Sequence, residues 1–398
     1  MKTYHFKKII LSSVLLGSSQ VSWAACDQTL SPGANLASAI SSAANGSTIC
    51  LNSGDYGSVD LSNMARTGYV TLTSLNGTGA ILSPSINNSD YIRFDRMTLT
   101  SMLINNGSTN IQIVNSTFVP YKPGLAVVSS SKTLIDNVDF TNVNNQTWSG
   151  RLSLNAASYT TVTNSKFVGV GIGVDGIMIV GLASNNTIGP NNLFSGILQA
   201  LCSVSSPGSH CDAIQDFGGG PGNLITGNYF VNGDTFIMMP DGSDNVTITN
   251  NVFDGSSVNY AGKIQMGSAN NPRFEHNTVI NTNAGFNSKS GNAATTNAIV
   301  KNNILIGGEF DISYGNGCSN CTFTRNLFDL IGNSTGTINL IGNPTYVGGA
   351  KPTNLAGFQL TSSSLGYKAA LDGNDTGVVF TGTTTTAPPA APTNLRAN

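Results

Sequence analysis

An asparagine-rich phrase recurring along the chain, a composition nearly free of charge and an export-type N-terminus together predict an all-β fold, a right-handed parallel β-helix (solenoid) with an N-terminal capping helix. The elements are taken in chain order. Residues 1–24 carry Lys2, Lys7 and Lys8, an apolar run from Ile9 to Gly17, and small residues around Trp23 that suit cleavage after Ala24. The rival reading is acylation on Cys26, which Trp23 fits poorly. No later run is long enough to span a bilayer. The expectation is a signal peptide followed by a secreted monomer, extracellular or periplasmic.

Residues 25–380 form one predicted domain. Of 398 residues, only 10% are charged while 45 are glycine, so neutral polar groups must cover the surface, as stacked strands and tight turns allow. The net charge of −2 supplies no basic stripe, which argues against nucleic acid as a partner. The segment from 34 to 60 reads as a short amphipathic helix, a turn at Asn45-Gly46 and a first strand. Such a helix would cover the open end of an apolar core.

From NIQIVNSTF at 110–118 to CTFTRNLF at 321–328, alternating β-rich stretches end in an apolar residue: Phe118, Phe140, Phe167, Phe194, Phe230, Phe253, Val279, Leu305 and Phe328. The spacing runs from 22 residues (Phe118 to Phe140) to 36 (Phe194 to Phe230), a solenoid period. The column Asn115, Asn137, Asn164, Asn191, Asn250 and Asn302 predicts an internal asparagine ladder, and His276 falls in that column as a structural residue. Six cysteines in an exported chain predict three disulfides by proximity: Cys26 with Cys50, Cys202 with Cys211, Cys318 with Cys321. Residues 381–398, Thr/Pro-rich and ending in APPAAPTNLRAN, read as a linker or tail.

These repeats, with NPTYVGG at 343–349 and FQLTSSSLGYKAALDGNDTG at 358–377, resemble the pectin-lyase-like β-helix superfamily over roughly residues 34 to 380. That superfamily includes polysaccharide lyases, glycoside hydrolases, epimerases and tailspikes, so the resemblance implies the fold and a carbohydrate-active role without choosing a reaction. The closing segment departs from the usual wording, with Leu365-Gly366 where Ser-Pro is customary.

The long step before Phe230 lies in ILQALCSVSSPGSHCDAIQ, a loop suited to form one wall of a cleft. His210-Cys-Asp212-Ala-Ile-Gln215 at its base resembles the His-x-Asp-x-x-Gln phrase of β-helix carbohydrate-active proteins. His210 suits proton transfer near neutrality and Asp212 could orient it, although Asp212 also reads as a strand-opening turn residue. Aligning the strands at 212–216, 235–239, 262–266, 285–289 and 310–314 with Ile214, Ile237, Ile264, Phe286 and Ile312 inward turns another set outward: Gln215, Met238, Lys263, Gln265, Asn287, Lys289, Asp311 and Ser313. The expected catalytic set is His210, Asp212, Lys263 and Lys289; the expected substrate-binding set is Gln215, Gln265, Asn287 and Asp311.

The chemistry this set suits is β-elimination on a uronic acid polysaccharide, in which lysines neutralise the uronate carboxylate. Ca²⁺ held by Asp212, Asp216, Asp234 or Asp241 is the alternative source of positive charge. A C5-epimerase would use the same parts. A glycoside hydrolase would need two carboxylates, with Asp212 beside Asp216 or Asp241 as candidates, and a non-catalytic glycan-binding or adhesin β-helix would need only amides and tyrosines.

Overall fold

The structure is a computed structural model and describes residues 25–144, 150–169, 173–200, 202, 211–256, 263–289, 291–311, 317–330 and 336–380. A complete coil contributes one short strand to each of three parallel sheets, and among the described residues these hold thirteen, thirteen and eight strands. One coil shows the order: Asp175–Val180 in the second sheet, Thr187–Ile188 in the first, Leu193–Ser195 in the third. The corners between them demand a left-handed backbone, which explains the composition. Asparagine tolerates that conformation because its short amide bonds locally, and Asn115, Asn137, Asn164, Asn191, Asn250 and Asn302 all lie at φ between 50° and 64°.

The asparagine column therefore shapes the corner, and the internal ladder lies one residue further on. Asn192, Asn228, Asn251, Asn277 and Asn303 are fully buried. Asn192 Nδ2 donates to Asn228 Oδ1 at 2.9 Å, Asn228 to Asn251 at 3.0 Å, and Asn251 to Asn277 at 3.1 Å. Oδ1 of Asn251, Asn277 and Asn303 also accepts the backbone N–H of the preceding coil's ladder residue, as Asn251 does from Asn228 at 3.0 Å. The predicted column makes a mostly outward ladder instead, with Asn137 Nδ2 on Asn115 Oδ1 at 2.9 Å and Asn191 Nδ2 on Asn164 Oδ1 at 3.1 Å. The displacement follows from the bend: the left-handed residue turns its own side chain away from the axis and the next one inward.

The apolar column behaves as predicted. Phe118, Phe140, Phe167, Phe194, Phe230 and Phe253 stack with ring centroids 4.6 to 4.9 Å apart. At the N-terminus the helix is Leu36–Ser42, capped by Asn35 Oδ1 accepting from Ser38 N at 3.0 Å, with Leu36, Ala39 and Ile40 buried. A strand, Gln28–Leu30, precedes it and forms the edge of the first sheet, so the helix shares that end with a strand. The three cysteine pairs are bridged as predicted, with Cα–Cα distances of 5.6, 5.8 and 6.0 Å. The signal segment and the tail from 381 lie outside the described residues. Among those described, no helix is long and apolar enough to cross a membrane.

The C-terminal segment returns across the outer asparagine column. Leu371 N donates to Asn302 Oδ1 at 3.1 Å, Val378 N to Thr278 Oγ1 at 3.1 Å and Val379 N to Asn250 Oδ1 at 3.2 Å. His276 joins them, with Nε2 2.9 Å from Asp372 Oδ2, which bears out its structural reading.

Candidate functional site

The second sheet carries the candidate site on its outer face. Its strands Ile214–Phe217, Thr235–Met239, Lys263–Met266, Asn283–Phe286 and Phe310–Asp311 are neighbours in that order. Ile214 pairs with Ile237 and Ile237 with Ile264, as predicted. The next step differs: Ile264 pairs with Ala284, and Phe286 pairs with Met266. The shift is two residues, and side chains alternate every residue, so the outward set keeps its face.

An open cleft of about 270 Å³ sits on that face, lined by Lys263, Gln265, Asn283, Gly285, Asn287 and Asp311 among others. Four of these belong to the predicted set. Lys263 pairs in register with Asn283, Gln265 with Gly285, and Gly285 with Asp311, so the lining residues come from three adjacent strands. Gly285 is required here, because a Cβ would stand 2.4 Å from the Asp311 carbonyl oxygen. Its bare backbone leaves an uncovered floor between the Gln265 and Asp311 side chains. Lys263 is exposed and is the one cation among the lining residues. Asn283 was missed because the assumed register placed its strand two residues later. A larger groove of about 370 Å³ on the same sheet, nearer the N-terminus, is lined by Ser58, Asp60, Ser83, Ser85 and Ser101 and offers no cation.

The remaining predicted residues are spread out. Gln215 faces outward but lies two strands from Gln265, with Met238 between them. Asp212 is fully buried at the start of its strand, its N–H donating to Asp175 Oδ1 at 2.8 Å, so it belongs to the interior rather than to the outer face. Lys289 stands past the end of its strand and pairs with Asp241 at 3.4 Å, apart from the cleft. His210, Ile312 and Ser313 lie outside the described residues. Cys211, the first described residue after His210 in the sequence, precedes Ala213, whose N–H donates to Thr235 O at 2.9 Å, and Thr235 pairs with Lys263.

Asp216 also points inward. It occupies the column between Ile179 and Met239 and is fully buried. Burial pushes its carboxyl up to about 7, opposed by the Gly219 N–H at 2.7 Å and by Ser243, and reinforced by the Asp241 charge. Its Oδ2 has no hydrogen-bond partner. The four aspartates considered for Ca²⁺ are engaged separately: Asp212 and Asp216 are interior, Asp234 Oδ2 accepts from Gln199 N at 2.7 Å, and Asp241 holds Lys289. Among the described residues no group of three His, Cys, Asp or Glu side chains could hold a metal ion.

No protein-family model and no curated protein matches this sequence. Solved structures do. The alginate lyase AlyF-OU02, in complex with G6, is 12% identical with a TM-score of 0.47, covering 86% of this chain and 90% of its own. Pectate lyase Pel9A is 13% identical with a TM-score of 0.45 over 89% of this chain and 96% of its own. PfbA, a surface adhesin of Streptococcus pneumoniae, is 15% identical with a TM-score of 0.41 over 75% and 88%. This chain spans 57% of the length of the alginate lyase AlyGC, which it also matches. The comparison is one of fold.

Proposed function

We propose that this chain is a secreted polysaccharide lyase that acts on a uronic acid polymer at the second-sheet cleft. The observation that carries the reading is an exposed lysine over a side-chain-free floor, flanked by Gln265, Asn283, Asn287 and Asp311. A uronate lying there would place its carboxylate on the Lys263 ammonium while the amides take its hydroxyls. Neutralising that carboxylate acidifies the neighbouring C5–H. A base removes this proton, the electron pair forms C4=C5, the C4–O bond breaks, and the departing oxygen takes a proton. We assign the proton transfer to His210, the residue next in sequence to Cys211, which lies two positions before Ala213; Ala213 bonds Thr235, and Thr235 pairs with Lys263. Among the described residues the cleft has one carboxylate, Asp311, which disfavours a two-carboxylate hydrolase.

The test is ultraviolet absorbance of the unsaturated uronate end while the purified chain meets alginate, polygalacturonate, chondroitin and glucuronan. The reading expects a rise with one of them. Reducing-sugar release without that rise would establish a hydrolase instead, and inactivity on all four with retained binding would establish a binder.

A further inference from the structure

Phe217 is out of place on a polar sheet face. It ends the strand Ile214–Phe217, projects to the same side as Gln215, and is 49% exposed in a position where burial would be expected of a phenylalanine. The Lys289 ammonium lies 5.2 Å from the centre of its ring. That lysine also pairs with Asp241, 3.4 Å away, and Asp241 Oδ1 in turn accepts from Asn292 Nδ2 at 3.2 Å. Lys289 belongs to the segment that directly follows Asn287 of the cleft, so its chain links the cleft to Phe217 along one face.

An apolar ring half exposed to solvent, with a cation held over it 5.2 Å from its centre, matches a sugar that is apolar on one side and carries a carboxylate. We propose that Phe217 and Lys289 form a distal subsite for a uronate residue, with the ring taking the C–H face of the sugar and the ammonium taking its carboxylate. Asp241 and Asn292 are its positioning residues. The subsite rests on the uronate reading of the cleft and adds to it a preference for long chains, since an occupant must extend from Gly285 to the Phe217 strand. With strands about 4.8 Å apart, three strand steps amount to about 14 Å.

The experiment compares wild type, Phe217→Ala, Phe217→Trp and Lys289→Met on size-fractionated oligouronates of the polymer that the wild type cleaves, and on the same oligomers with their carboxyls reduced. Phe217→Ala should raise KM for long oligomers on the order of tenfold, equivalent to about 1.4 kcal/mol. It should leave kcat unchanged and leave the shortest cleaved oligomer unaffected. Phe217→Trp should retain wild-type behaviour. Lys289→Met should weaken binding of long oligouronates and lose its difference from wild type on the carboxyl-reduced series. Equal KM for wild type and Phe217→Ala at every length, with wild-type cleavage intact, would overturn the subsite alone. A wild type that neither cleaves nor binds any uronate polymer would overturn the subsite together with the reading of the cleft.

Discussion

At the scale of single residues, the interior of this solenoid holds a carboxyl in an apolar column. Asp216 sits where Ile179 and Met239 stand in the adjacent coils, and burial raises its titration to about 7. A raised carboxylic acid binds its proton more tightly in the folded chain than in the unfolded one. The folded state therefore loses stability as pH rises from the ordinary carboxylate range toward 7, and the full penalty is present above that. The shift from 3.8 to about 7 corresponds to an upper bound of about 4 kcal/mol. Asp216→Asn should remove that slope and raise the melting temperature at alkaline pH while changing it little in acid. Denaturant melts across the pH range would show this, and an unchanged slope in the variant would contradict it. Neither the burial nor the shift was legible from the sequence. Asp212 and Asp216 differ from outward positions only in parity, and the phrase His-x-Asp-x-x-Gln drew attention to chemistry at Asp212 that its inward direction does not support.

At the scale of elements, the two asparagine columns have different jobs and should respond differently. The Asn251 side chain takes part in five hydrogen bonds: its Nδ2 serves Asn277 Oδ1 and the Ile225 and Thr249 carbonyls, and its Oδ1 accepts from Asn228 Nδ2 and N. Asn251→Ala leaves buried groups unpaired and should cost several kcal/mol, at about 1–3 kcal/mol for each stranded group. Asn137→Ala retains a left-handed residue at the surface and should cost only about 1–2 kcal/mol. Chemical denaturation of both variants tests the ordering, and equal losses would contradict it. The sequence announced these columns through repetition but could not say which member of Asn-Asn faces in, because that depends on which residue takes the bend. The C-terminal return was harder still to read, since its partners His276, Asn302 and Asn250 are about 70 to 130 positions away. Burial raises the Asp372 carboxyl, but the Asn374 amides and His276 together outweigh it and leave it below its usual value. A lowered carboxylate contributes stability above its unfolded pKa and loses it as pH falls through the folded one. Acidification, or Asp372→Asn at neutral pH, should therefore loosen residues 369–379, read as faster limited proteolysis there with the solenoid intact. Unchanged cleavage rates in the variant would show that the backbone bonds alone hold the segment.

At the scale of the whole molecule, a stack of coils supplies a continuous parallel sheet face, and the candidate cleft lies on that face where Gly285 leaves it uncovered. The period and the aromatic stack were readable because stacking repeats them, and the disulfides because the members of each pair are near each other in sequence. The cleft was partly readable: Lys263, Gln265, Asn287 and Asp311 emerged from period-two alternation alone, which survives a two-residue slip. Asn283 and Phe217 did not, because one depended on register and the other on exposure. The account rests on Lys263 meeting a uronate carboxylate in that cleft. The measurement that tests it most directly is the initial rate of unsaturated-uronate absorbance for wild type and Lys263→Ala side by side on the same polymer. The account predicts a wild-type rise and a loss of about 100-fold to 1000-fold in kcat for the variant, the size expected when one electrostatic stabiliser is removed; a variant that eliminates as fast as wild type would contradict it.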